Sequence, residues 1–97
     1  MKLIQAIVHN DDADAVINAL VAQGFRATRM GSTGGFLREG NTTIVSGVEE
    51  EQVDEAIHII KQHVKSRLHM PRWPQTKEVE VHGAIVFVIN VERLVRV

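Results

Sequence analysis

Between Glu49 and Val64, the residues Val53, Ala56, Ile57, Ile60 and Val64 recur at i, i+3, i+4, i+7 and i+11. That spacing puts a single apolar stripe on one side of a helix and leaves the other side polar. Glu49, Glu50 and Glu51 occupy its first turn, and lysine and histidine lie near its end, an order that suits the helix dipole. Such a helix must lay its stripe on another apolar surface. The other apolar segments of the chain are mostly too short for helices and rich in β-branched residues, so the surface on offer is a sheet.

In chain order, Lys2 to His9 reads as a first strand bounded by Asn10-Asp11-Asp12. The Asn/Asp cluster supplies an N-cap and an acidic first turn for a helix, whose buried face is predicted from Ala13, Val16, Ile17, Leu20 and Val21. Gly24 stops it, because glycine takes the left-handed conformation at a helix end. Phe25 to Met30 is predicted as a second strand, with Arg26 and Thr28 on one face and Phe25 and Ala27 on the other. Gly31 to Gly35 interrupts, and Asn41 to Ser46 forms a third strand, hairpin-like with the second. After the Glu49–Val64 helix, a proline-bearing loop runs from Lys65 to Thr76 with Trp73 between Pro71 and Pro74. Trp73 suits a ligand lid or an interface anchor, and a cap on the core edge equally well. Glu78 to Val81 alternates as a short strand. Ala84 to Val91 is almost continuously apolar, which predicts a strand buried on both faces or central in a sheet. Glu92 to Val97 is amphipathic and suits an added edge strand or pairing across a subunit boundary.

The order β-α-β-β-α-β is that of an α+β, ferredoxin-like fold, with two helices on one face of an antiparallel sheet. At 97 residues the expectation is one domain over 1–97, a size that buries about 60–68% of the surface its unfolded chain exposes. The strands are dense in Ile, Val and Phe, so the second sheet face is a candidate interface between subunits.

Composition narrows the function. A net charge of −1 argues against a general nucleic-acid binder, and no apolar run reaches the length of a membrane span. With no secretory leader recognisable at Met1-Lys2, a cytoplasmic protein is expected; the absence of cysteine fits any compartment. The charge is nonetheless unevenly placed. Glu49, Glu50, Glu51, Asp54 and Glu55 gather in one segment, and Arg26, Arg29 and Arg38 in another, which favours a small anionic ligand over a long polyanion. Metal is not expected: His9, His58, His63, His69 and His82 have no ligand-like spacing, and no HExxH or Cys/His pattern occurs. Catalysis is not expected either, because no serine lies in a nucleophile-elbow context and the helix carboxylates read as a solvated face.

Phosphate binding is better founded. Gly31-Ser32-Thr33-Gly34-Gly35 has the composition of a phosphate-cradling turn, without the Gly-Lys-Ser/Thr ending of a P-loop, and serves equally as a plain hairpin loop. Arg26 and Thr28 on one strand, with Asn41 and Gly47 on one face of the next, offer donors and a glycine where a ring can approach the backbone. Phe36 and Leu37 suit a purine sandwich, or simply fold into the core.

These residues also carry a resemblance. Phe25-Arg26-Ala27-Thr28, Thr33-Gly34-Gly35-Phe36-Leu37-Arg38, Gly40-Asn41-Thr42-Thr43 and Gly47-Val48 together resemble the signature of the P-II-like cyclic di-AMP receptors. Met1-Lys2-Leu3-Ile4, Ala6-Ile7-Val8, Val53-Asp54-Glu55, Val79-Glu80-Val81, Gly83-Ala84 and Val86-Phe87-Val88 are similar to the same family. The likeness spans nearly all of the chain except Lys65 to Thr76, which is shorter here. Gly24 stands where members often carry a polar residue, and Ser32 replaces a common threonine. The closing segment, Gly83 to Val97, is also similar to nitrogen-regulatory P-II proteins. Those carry a long loop with a modifiable tyrosine, and this chain has no tyrosine.

The resemblance implies a homotrimer of ferredoxin-like subunits that binds cyclic di-AMP in the clefts between neighbours. Such a protein acts as a non-enzymatic cytosolic signal receptor, with no cofactor and with a downstream protein partner that the sequence does not identify. By position, Arg26, Thr28, Gly35, Phe36, Leu37, Asn41 and Gly47 would line the ligand, and Phe87 would help hold a base. An ATP- or ADP-binding P-II-type regulator and a structural trimer without nucleotide are the alternatives.

Overall fold

The computed structural model describes residues 1–30, 40–66 and 83–97. Its elements are β1 (Lys2–His9), α1 (Asn10–Ala22), β2 (Thr28–Met30), β3 (Asn41–Val48), α2 (Val53–His63) and β4 (Ala84–Asn90), with a 3-10 turn at Glu50–Gln52 leading into α2. The sheet order is β2-β3-β1-β4, and every pairing is antiparallel. This is the ferredoxin-like arrangement expected from the element order. The predicted strand at Glu78–Val81, the loop around Trp73, and the Gly31–Gly35 turn lie outside the described residues.

Register decides which side chains meet the helices. Ile4, Ala6 and Val8 of β1 pair with Ser46, Ile44 and Thr42 of β3 and with Val88, Val86 and Ala84 of β4. Successive residues of a strand point to opposite faces, so this set forms one face of the sheet. Against it lie Ala13, Val16 and Leu20 of α1 and Ala56, Ile59 and Ile60 of α2, and with Phe25 and Val48 they close the core. Each fully buried Val, Leu or Ile contributes about 1.5–3 kcal/mol relative to exposure. The α1 stripe is narrower than predicted, since Val21 is exposed. The α2 stripe is wider on one side, where Ile59 joins it while Ile57 is only half-buried.

Helix ends are fixed by specific bonds. The cap of α1 is His9, whose Nδ1 accepts from the Asp11 N–H at 3.0 Å; the sequence pointed to the Asn/Asp cluster. Asn10 is otherwise engaged: its N–H donates to the Gly40 carbonyl at 2.8 Å, and its side chain accepts from the Thr42 hydroxyl. At the other end, Phe25 N–H donates to Leu20 O and Gly24 N–H to Val21 O, both at 3.0 Å. With Gly24 at φ 89°, that is a Schellman closure, and Phe25 packs into the same core cluster as Leu20. In the turn before α2, Gln52 Oε1 accepts from the Glu49 N–H at 3.0 Å.

Two strand predictions are corrected. The second strand begins at Thr28 rather than Phe25, because Phe25 is spent closing α1. β4, among the described residues, is neither central in the sheet nor buried on both faces. Among the described residues it pairs with β1 alone, and Phe87, Val88 and Ile89 are 42–45% exposed. Its unbroken apolar run marks a strand with two apolar faces, and the described part of the chain covers neither of them fully. The ladder continues one bond further, from Val91 N–H to Met1 O, and Glu92 to Val97 form no strand.

Asp12 ties the two helices together. It is 5% exposed, and its Oδ2 accepts the N–H groups of Lys65 and Ser66 at 3.0 and 2.8 Å, just beyond the α2 C-cap. Gly83 packs against the same turn, where a β-carbon would come within 2.8 Å of Val64. Asp12→Ala removes the acceptor of two part-buried N–H groups, and the expected loss is about 1–2 kcal/mol, read as a lower urea midpoint with unchanged slope. Gly24→Ala meets no atom within 4 Å, so only the left-handed backbone opposes it. The expected cost is about 1 kcal/mol by the same titration.

Candidate functional site

The end of the sheet where β1 starts and β3 finishes carries a cleft of about 460 Å³. It is lined by Met1, Gly24, Phe25, Arg26, Gly47, Gln52, Leu94 and Arg96. Each arrives there for a local reason. Leu3 pairs with Gly47, so Met1 and Gly47 are neighbours, and the Met1 methyl sits 2.9 Å from where a Gly47 β-carbon would stand. The Ser46 hydroxyl donates to the Arg26 carbonyl, which holds the segment after the α1 closure against the end of β3. Gln52 belongs to the turn that follows β3. The Val91–Met1 bond and a hydrogen bond from Lys2 Nζ to Asn90 Oδ1 pin the end of β4 beside the start of β1. From that point Leu94 and Arg96 reach the cleft.

The electrostatics follow from which arginines are already engaged. Arg29 pairs with Ile44 in register, which turns it toward the helices, and it forms an ion pair with Asp14 of α1. It therefore does not join the basic cluster in which the sequence placed it. Arg38 lies outside the described residues. Arg26 is exposed, and among the described residues it forms no ion pair and no acidic side chain lines the cleft. The cleft is therefore suited to an anion, with an apolar wall from Met1, Phe25 and Leu94.

The predicted site residues divide between places. Arg26 and Gly47 share the cleft, and Thr28 follows two residues after Arg26 at the start of β2. Thr28, Val45, Gln5 and Phe87 form one row across the sheet on the face away from the core cluster. Thr28 and Phe87 are thus three strand spacings apart, about 14 Å. Asn41 is buried at the far end of β3, paired with His9. It shares the Gly47 face, as predicted, but six residues of strand separate the two by about 20 Å. Gly35, Phe36 and Leu37 lie outside the described residues. Of the histidines considered as ligands, His9 caps α1 and His63 lies 2.8 Å from the Ile59 carbonyl. No group of three metal-ligating side chains occurs among the described residues.

Gln52, Leu94 and Arg96 were not singled out from the sequence. The only signal for the last two was the amphipathic character of the closing segment, which carries no information about where it folds back.

Fold and cleft together define a ferredoxin-like binding module that presents an exposed cation beside a glycine-floored recess. The comparisons with known proteins make the class specific. The family model for the cyclic-di-AMP receptor matches residues 1–97, and the chain belongs to that family. It is a family of binding and signalling proteins rather than a class of enzymes. Among solved structures, a functionally unknown protein from Pediococcus pentosaceus is similar at 40% identity and a TM-score of 0.73. The alignment covers 99% of this chain and 96% of that one. No helix among the described residues is long and apolar enough to cross a membrane.

Gly47 tests the cleft's construction. It is exposed, its backbone is not left-handed, and a β-carbon would press only on the flexible end of Met1. Gly47→Ala should therefore change unfolding free energy by no more than about 1 kcal/mol, in either direction, by urea titration. A larger loss would mean that the strand needs glycine for the fold itself.

Proposed function

We propose that this protein is a cytoplasmic, non-enzymatic receptor for cyclic di-AMP that binds its ligand at clefts between the subunits of a homotrimer. The observation that carries the reading is Arg26, exposed beside Gly47 in a cleft whose described lining holds no acidic group, in a chain that belongs to the cyclic-di-AMP receptor family. In this reading the Arg26 guanidinium meets a phosphate, Thr28 and Asn41 hydrogen-bond the nucleoside, and Gly47 lets a ring approach the backbone. Gly35, Phe36 and Leu37 complete one side of the site, and Phe87 stacks on a base. The placement of Thr28 and Phe87 on opposite outer strands of one sheet fits a site shared between copies, in which Phe87 of one subunit meets a ligand held by Thr28 of the next. The half-exposed apolar side chains of β4 support contact between copies along that edge.

Signalling would follow from ordering of the loop stretches by ligand, and a protein partner would read the ordered state. Equal hydrogen-exchange protection of Gly31–Arg38 with and without cyclic di-AMP would sink that step.

Calorimetric titration with cyclic di-AMP, ATP and cyclic di-GMP tests the function directly. Saturable binding of cyclic di-AMP near one per subunit is expected. Arg26→Ala should weaken it by about ten- to a hundredfold, the loss of one charge-assisted hydrogen bond of about 1.5–3 kcal/mol. Ligand should raise the melting temperature of the native chain and not of the variant. Binding of ATP in place of cyclic di-AMP would instead make the protein a P-II-type ATP/ADP regulator. Binding of none would make it a structural trimer.

A further inference from the structure

Arg26 is not alone in its cleft. Arg96, from the segment after β4, lines the same recess, and it too is exposed and forms no ion pair among the described residues. The rest of the lining among the described residues is neutral: Met1, Gly24, Phe25, Gly47, Gln52 and Leu94. Two guanidinium groups facing one recess repel each other, and none of these neighbours offsets the repulsion. A bound polyanion does so, and two planar guanidinium groups on separate elements suit phosphates at two positions better than one compact anion.

We propose that Arg96 is a second phosphate-binding residue, so that Arg26 and Arg96 each engage one of the two phosphates of the ligand. This deepens the receptor reading above and rests on it for the identity of the ligand. The placement of Arg96 is built into the fold. The Val91–Met1 backbone bond and the Lys2–Asn90 side-chain bond fix the exit of β4 at the mouth of the cleft, and Leu94 seats the following segment on its apolar wall. Arg93, on the same segment, does not line the recess and serves as a control of equal charge. A second cation also makes the ligand's affinity more sensitive to salt, because each neutralised phosphate releases screening counterions.

The test is calorimetric titration of the full chain and of its Arg96→Gln, Arg96→Lys and Arg93→Gln variants with cyclic di-AMP, ATP and pyrophosphate at two salt concentrations. Arg96 is exposed, so unchanged melting temperatures are expected for all variants without ligand. Arg96→Gln should weaken cyclic di-AMP about tenfold and flatten its salt dependence, Arg96→Lys should recover part of the loss, and Arg93→Gln should behave as the native chain. Native binding of cyclic di-AMP that Arg96→Gln leaves equal to Arg93→Gln overturns the proposal and leaves the receptor reading standing. A native chain silent to cyclic di-AMP that binds ATP or pyrophosphate in an Arg96-dependent way overturns the receptor reading and supports the paired arginines. Silence toward all three, or binding of ATP or pyrophosphate alone that ignores Arg96, overturns both.

Discussion

The structure depends on β1 being paired on both sides. Its eight residues form antiparallel ladders with β3 and with β4. With a side-chain period of two, those ladders fix at once which residues meet the helices and which face away. A slip of one residue would turn Ile4, Ala6 and Val8 out of the core and turn Leu3, Gln5 and Ile7 in. The same register places Gly47 beside Leu3 and brings Asn90 beside Lys2, so the mouth of the cleft is set by the pairing that builds the core.

The start of α1 is a second organising point, and it works through polar groups. His9 caps the helix, Asn10 holds Gly40 and Thr42, and Asp12 holds the residues just beyond α2. Two residues of this one turn, Asn10 and Asp12, therefore fasten the entry to β3 and the exit from α2 with two bonds each. Buried polar groups of this kind stabilise only when each is satisfied, and no buried side-chain nitrogen or oxygen among the described residues lacks a partner. A change that loosened this turn would reach both segments together, since the same turn bonds to each.

What could be read from the sequence follows the range of the interactions involved. The helices, the Gly24 stop and the succession of elements along the chain were legible because periodicity and capping are local. The cap at His9 was not, since it required knowing that Asn10 was already engaged by β3. The register of Thr28, Gly47 and Phe87 on one sheet face follows from alternation along strands. Their separation does not, because it depends on the order in which strands lie side by side. Arg29 shows the same limit: three arginines close in sequence read as one basic cluster, until pairing with Ile44 turns one of them toward Asp14. β4 was misplaced for a related reason. A continuous apolar run reports that both faces of a strand are apolar, and it does not report which molecule covers them.

That last ambiguity bears on why the proposed site residues are so widely spread. Thr28 belongs to the strand at one end of the sheet order and Phe87 to the strand at the other, with β3 and β1 between them. No rearrangement of side chains brings the two together while β1 keeps its two ladders. In the proposed receptor, a shared site where the β2 side of one copy approaches the β4 side of another would give the apolar exposure of β4 and the scatter of the binding residues one cause. The β4 edge, which no other strand among the described residues pairs, would be the surface that completes the neighbour's cleft.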